Sequence, residues 1–242
     1  MKFEERFKIG IREIGLKNEM TNYGFLAFLE DLATYHSDTV GYGVKDIPIN
    51  KGAWLLLDWQ LEVLKRPAFN DNINIKTYAV CQEKPSFHCY RNFEIYDDNC
   101  NLIATATSKW IFFNFEINKI TKITQDMMEL FKPEGDILES ERKIIKLKEP
   151  NFYQSIYEYT VKRMDLDVNM HMNNLNYLKL AYEALPENVY LDRESNNLRI
   201  MYKNQIKLGD KVKCFYSMEE NKHIVSIKSE DEKTLHAIVE LW

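Results

Sequence analysis

Met164-Asp165-Leu166-Asp167-Val168-Asn169-Met170-His171-Met172-Asn173-Asn174 is the stretch from which this chain is best read. Its apolar residues stand at even positions from 164 to 172; two carboxylates, an amide and an imidazole stand at the odd positions from 165 to 171. In an extended backbone alternate side chains point to opposite faces, so the spacing predicts a strand with one apolar and one polar face. Leu175, Leu178, Tyr182 and Leu185 follow at the spacing of one side of a helix, and Asn173 or Asn174 suits its N-cap. Free backbone N–H groups cluster at a helix start, where a carbonyl turning into an anion can be held. The same alternation also describes a half-buried strand running into a turn, with no chemistry attached.

Working outward, an earlier stretch has the same order. Met20-Thr21-Asn22-Tyr23-Gly24-Phe25-Leu26 runs in register with Met172-Asn173-Asn174-Leu175-Asn176-Tyr177-Leu178, but Lys17 and Glu19 stand where the later copy has Asn169 and His171. Before it, Phe3 to Ile14 reads as a strand. After it, Phe25, Phe28, Leu29, Leu32 and Tyr35 share one side of a helix capped by Thr21 or Asn22. From 54 to 64, Leu55, Leu57, Trp59, Leu61 and Val63 alternate with Asp58, Gln60 and Glu62. Strands near 72–80, 86–96 and 102–113 follow, the last apolar on both faces and so central. In the second half, strands are expected near 156–163, 197–206, 211–219, 222–229 and 234–241. Between the halves, residues 116 to 155 are rich in Lys and Glu and read as a connection with one or two short helices. The order implies an α+β chain with an N-terminal unit at 1–115, a linker at 116–155 and a C-terminal unit at 156–242, each a helix with an antiparallel sheet around it. A duplication that kept its chemistry in one copy is the simplest origin.

The bulk numbers exclude several classes. A chain of 242 residues with 45% hydrophobic residues folds into a globule rather than staying disordered. A net charge of −5 and the lack of a basic patch with interleaved aromatics argue against nucleic acid. No stretch reaches the ~20 apolar residues of a membrane span, and the polar start, Lys2-Phe3-Glu4-Glu5-Arg6, is unlike a signal peptide, so a cytoplasmic location is expected. Cys81, Cys89, Cys100 and Cys214 have no metal-site spacing; reduced thiols are expected, with a Cys81–Cys89 pair left open. His36, His88, His223 and His236 lack carboxylates at ligand spacing, so no metal is expected.

The run Asp165-Leu166-Asp167-Val168-Asn169-Met170-His171-Met172-Asn173-Asn174, with Tyr177 after it, resembles the signature of acyl-acyl-carrier-protein thioesterases. Trp54, Pro67, Thr77-Tyr78, Arg91, Glu94 and the Ala104/Ala106/Ser108/Trp110 run resemble that family's first half. The resemblance implies two tandem hotdog units and hydrolysis of fatty acyl thioesters on acyl carrier protein, with no cofactor. The substrate partner would carry its acyl chain on phosphopantetheine; a homodimer is left open. With no transit peptide apparent, the sequence is more similar to bacterial members than to plastid ones.

By the same resemblance Asp167, Asn169 and His171 take catalytic positions. An imidazole titrates near ~6.5 and can exchange a proton at neutral pH. The amide offers a donor and an acceptor for a water or the carbonyl; Asp167 would orient its neighbours or act as base. Backbone N–H groups at Asn173 and Asn174 are candidate oxyanion donors. The acyl chain is expected in the first unit, among Phe25, Phe28, Leu29, Leu32, Leu57, Trp59 and Trp110. One departure stands out. Where the family has Glu, and its plant members a following Cys, this chain has Gln205 and Ile206, to within one position. A cysteine mechanism is thereby excluded unless Cys214 reaches the site. The preferred reading is attack by activated water, with Gln205 as a hydrogen-bonding positioner. The alternatives are an acyl-CoA thioesterase on the same scaffold and an acyl-binding module without activity.

Overall fold

A helix laid against an antiparallel sheet occurs twice along the chain. The computed structural model describes residues 2–80, 85–134, 146–192 and 195–242, and the chain divides into two units, Met1–Ile144 and Ile145–Trp242. The first unit holds β1 (Phe3–Lys8), α1 (Asn22–Thr39), α2 (Ile47–Asn50), β2 (Gly52–Val63), β3 (Asn72–Ala79), β4 (Cys89–Asp97), β5 (Leu102–Asn114), β6 (Lys119–Thr121) and α3 (Gln125–Leu130). Its strands lie in the order β1-β3-β4-β5-β2, with β6 also on β5. The second holds β7 (Ser155–Thr160), α4 (Asn174–Ala184), α5 (Glu187–Leu191), β8 (Asn197–Tyr202), β9 (Lys211–Glu219), β10 (Lys222–Ser229) and β11 (Leu235–Leu241). Their order, β7-β9-β10-β11-β8, is that of the first unit, and α4 packs on β7, β9, β10 and β11. Cys81 and the Gly135-Asp136 part of the connecting stretch lie outside the described residues.

The repeat holds at the level of single hydrogen bonds. Gly15 N–H reaches Glu19 C=O at 2.9 Å, and Asp167 N–H reaches His171 C=O at 2.8 Å. Met20 N–H donates to Pro67 C=O and Met172 N–H to Ile206 C=O, both at 2.8 Å. Thr21 N–H meets Glu13 C=O at 2.9 Å, and Asn173 N–H meets Asp165 C=O at 2.8 Å. That carbonyl takes a second donor in each unit: Thr21 Oγ1 in the first, Asn176 Nδ2 in the second. Gly24 occupies the position of Asn176, where a Cβ would lie 2.6 Å from the Glu13 oxygen. The first copy therefore needs the smallest residue where the second uses a longer one to bind the same carbonyl.

Four expectations are corrected. Residues 164–172 do not form an alternating strand: a 3-10 turn at Arg163–Asp165 leads into a tight turn closed by the Leu166–Met172 bridge. Met164, Val168 and Met170 are 94%, 76% and 65% exposed, so no apolar face exists there. The carboxylates bind backbone N–H groups, and that favours a turn over a ladder. Likewise β1 ends at Lys8, and 9–20 repeats the same turn. In β2 a bulge between Leu56 and Asp58 shifts the register. A bulge places two residues opposite one, so Leu56 is buried while Leu55 and Leu57 are only half-buried. On α1, Tyr35 is exposed and Phe28 is half-buried, stacked on Phe7 at 4.6 Å between ring centres.

The first unit's core is built on Phe25, Leu29, Leu32 and Trp59, none with any accessible surface. Ile123, Met128 and Phe131, from the connecting stretch, join Ala79, Cys89 and Phe112 in a second cluster of that unit. Two of the titratable groups on α1 are strongly shifted. Glu30 turns its carboxyl toward Trp59, whose Nε1 donates at 3.4 Å, and burial pushes its pKa up to about 8. His36 is buried and accepts from Arg91 Nη1 at 2.8 Å; burial, then the Arg91 charge, lowers its pKa to about 3.

Candidate active site

The site is built on the turn that replaces the expected strand. Asp167 opens it, with Oδ1 accepting Asn169 N–H at 2.8 Å and His171 N–H at 3.2 Å. Such side-chain-to-backbone bonds are how aspartate folds a turn on itself. Asp165 is used in the same way: its Oδ2 accepts Lys162 N–H at 2.7 Å and Tyr159 O–H at 2.9 Å. Beyond the turn, His171 bridges to Lys207, and Asn173 caps α4 by accepting Leu175 N–H at 2.9 Å.

The sequence-derived residues divide into two groups. Asp167 and His171 are joined through the backbone, and both are half-buried; the Asn169 side chain is exposed. Of the two proposed oxyanion donors, Asn173 N–H is committed to Asp165 C=O. Asn174, the first residue of α4, has no acceptor for its N–H among the described residues. Gln205 is exposed, one residue before the point where Ile206 C=O takes Met172 N–H. Ile206 is fully buried. Cys214 is buried in β9, its thiol pushed up to about 12 by burial, so it stays protonated and is no nucleophile.

His171 Nδ1 is buried and has no hydrogen-bond partner among the described residues. A buried polar atom left unpaired costs about 1–3 kcal/mol, so its retention calls for a reason. Trp54 Nε1 and Ser217 Oγ are in the same condition, but an indole N–H only donates, and a serine hydroxyl does not titrate near neutral pH. An imidazole nitrogen can take a proton and return it there.

Tyr177 closes the same signature run. It is buried on α4, and its hydroxyl donates to Asn204 C=O at 3.4 Å. Burial raises its pKa, the Asp167 charge adds to that rise, and a hydrogen bond with the Ile206 backbone opposes it. The phenol thus ties the helix to the segment facing the turn. Its spacing is the signal that could have found it: Tyr177 follows the Asn173 cap by four residues and so stands on the same side of the helix. Among the described residues no cluster of His, Cys, Asp or Glu could hold a metal ion, and no helix is long and apolar enough to cross a membrane.

Residues 1–131 match the acyl-ACP thioesterase N-terminal domain, and residues 148–240 match the acyl-ACP thioesterase C-terminal domain. An oleoyl-acyl carrier protein thioesterase of Coriandrum sativum is 25% identical over 236 residues, covering 90% of this chain and 63% of its own. One from Arabidopsis thaliana is 24% identical over 241 residues, with 93% and 65% covered. The chain therefore spans less than two thirds of the length of these relatives. Among solved structures, an acyl-ACP thioesterase from Bacteroides thetaiotaomicron superposes with a TM-score of 0.83 at 17% identity, covering 99% of this chain and 96% of that one. The 12:0-ACP thioesterase from Umbellularia californica gives 0.86 at 15% identity, with the same coverage. The likeness in structure shows the fold, tandem hotdog units of the α+β class. With both family domains present, in order, along most of its length, the chain belongs to the acyl-ACP thioesterase family.

Proposed function

We propose that this protein hydrolyses fatty acyl thioesters carried on acyl carrier protein, releasing the free acid and the carrier's thiol. The observation that carries the reading is the buried, unpartnered Nδ1 of His171, held on a turn organised by Asp167. Family membership and the activities of the relatives support it.

In this reading a water attacks the thioester carbonyl while His171 takes its proton. Asn174 N–H and the Asn169 amide stabilise the oxyanion that forms. The C–S bond then breaks, and the imidazolium returns the proton to the departing thiolate. Asp167 keeps the turn in shape, and Gln205, an amide with no basic form, helps to place the water. The oxyanion role is assigned to Asn174 and not Asn173, whose N–H is occupied. Of the first-unit residues expected to line the acyl chain, Phe25, Leu29, Leu32 and Trp59 have no accessible surface and Phe28 is half-buried. A cytoplasmic location belongs to the same reading.

The test is a panel of acyl-carrier-protein substrates with wild type, His171→Ala and Asn169→Ala. A loss of about 10²-fold or more for His171→Ala, with the fold intact by circular dichroism, is expected; activity kept in that variant overturns the mechanism. Gln205, where the family has Glu, favours a second reading, an acyl-binding module. Wild type that binds acyl chains but releases no thiol in a trapping assay would establish it. The same acyl group on CoA separates carrier-protein from CoA specificity.

A further inference from the structure

The turn that carries His171 also presents a surface that the hydrolytic reading leaves unused. Met164, Val168 and Met170 are 94%, 76% and 65% exposed. Lys162, Arg163 and Lys207 are exposed beside them, and none forms an ion pair among the described residues. These positions belong to one surface because the backbone joins them. Val161 N–H donates to Asp210 C=O and Gly209 N–H to Val161 C=O, each at 3.0 Å, and Lys207 is the bridge partner of His171.

The charged groups of this surface differ in what they bind. The carboxylates of the same segments are drawn onto backbone N–H groups: Asp165 onto Lys162, Asp167 onto His171, and Asp210 onto Lys207 at 2.9 Å. The three cationic residues are exposed, with Lys162 Nζ lying 5.6 Å from the centre of the Tyr159 ring. At the places of Lys162, Arg163 and Lys207 the first unit has Gly10, Ile11 and Ala68, and its own turn's cations, Arg12 and Lys17, replace Met164 and Asn169. Exposed apolar residues also occur on that turn, Ile11 at 71% and Leu16 at 77%. Apolar exposure thus comes with the fold, whereas this arrangement of cations is found only on the copy that carries His171.

We propose that this face docks the carrier protein itself: an acidic partner whose carboxylates meet Lys162, Arg163 and Lys207 around an apolar centre at Met164, Val168 and Met170. Facing charges of opposite sign steer encounter and set orientation, and an apolar centre with a charged rim is the usual anatomy of a transient interface. Docking there delivers the phosphopantetheine arm beside Lys207, at the edge of the His171 turn. The proposal rests on the carrier-protein reading above.

The experiment uses the full chain and Lys162→Glu with Arg163→Glu, neither of which is given a part in the reaction. Binding of holo carrier protein, which has no thioester to cleave, is measured at low and high salt. kcat/KM is measured for one acyl group on carrier protein, on CoA and on pantetheine. The expected result is carrier binding weakened by about tenfold or more, with much of its salt dependence lost. KM for acyl-carrier protein rises with kcat unchanged, and acyl-pantetheine is cleaved as by wild type. Unchanged carrier binding overturns the proposal, as does an equal loss on pantetheine, which would make these residues supports of the turn. A loss confined to acyl-CoA also overturns it, assigning the cations to the nucleotide. Should wild type cleave no thioester while the variant still loses carrier binding, hydrolysis fails and the docking surface stands.

Discussion

Asp167 Oδ1 accepts the backbone N–H of His171 at 3.2 Å, and in return the His171 C=O accepts Asp167 N–H at 2.8 Å. The carboxylate therefore holds the imidazole's backbone in place, and its substitutions separate that task from proton transfer. Asp167→Asn retains an oxygen acceptor without the charge, whereas Asp167→Ala removes both. Asp167→Asn is expected to keep most of the activity and the melting temperature; Asp167→Ala loses about 1 kcal/mol or more of stability and most of the turnover. If Asp167→Asn were as inactive as His171→Ala, the carboxylate would be the base.

Met170 sits at φ +62° in the turn, where the first unit has Asn18 at φ +60°. Asparagine tolerates the left-handed region, whereas other side chains pay about 1–2 kcal/mol there. Met170→Asn is expected to stabilise the protein by about 1 kcal/mol in urea unfolding. No gain would show that the Met170 side chain makes a compensating contact in solution.

Gln205 is exposed, at the place where the resemblance puts the family's Glu to within one position. A carboxylate there meets no burial penalty, so Gln205→Glu should fold as wild type and raise kcat or leave it unchanged. Its pH–rate profile should gain an acid limb if the new group acts as a base. A collapse of turnover would give the amide a role as hydrogen-bond donor that a carboxylate cannot fill.

Glu30 binds its proton more tightly in the folded state, at about 8 against 4.5 when unperturbed. Between those values the unfolded chain ionises first, so this group's stabilising share is present below pH ~4.5 and is lost as pH rises toward ~8. Glu30→Gln should therefore be more stable than wild type at pH 8, with the gap shrinking toward pH 5. Melting curves of both proteins across that range make the comparison; parallel curves would mean that Glu30 is ionised in the folded protein.

Much of the fold could be read in the chain because it depends on local order. The match of Met20–Leu26 to Met172–Leu178 predicted a repeat that the structure reproduces down to paired carbonyls, since equal spacing imposes equal caps and turns. The alternation at 164–172 misled. Period-2 spacing assigns faces only if the backbone stays extended, and here Asp165 and Asp167 fold it by binding nearby N–H groups. Leu55 and Leu57 were misplaced for a related reason, because one extra residue in β2 inverts the phase of everything before it.

The residue types at 165–177, the duplicated order and the family were determined by the sequence alone, because composition and spacing are properties of the chain before it folds. Only the tertiary structure decided that Asn173 N–H is taken, that the Tyr177 hydroxyl reaches Asn204 C=O, and that, among the described residues, Asn174 N–H has no acceptor and buried His171 Nδ1 no partner. Residues 204–207, some thirty positions away, meet Tyr177, Met172 and His171, and local spacing carries no record of that approach.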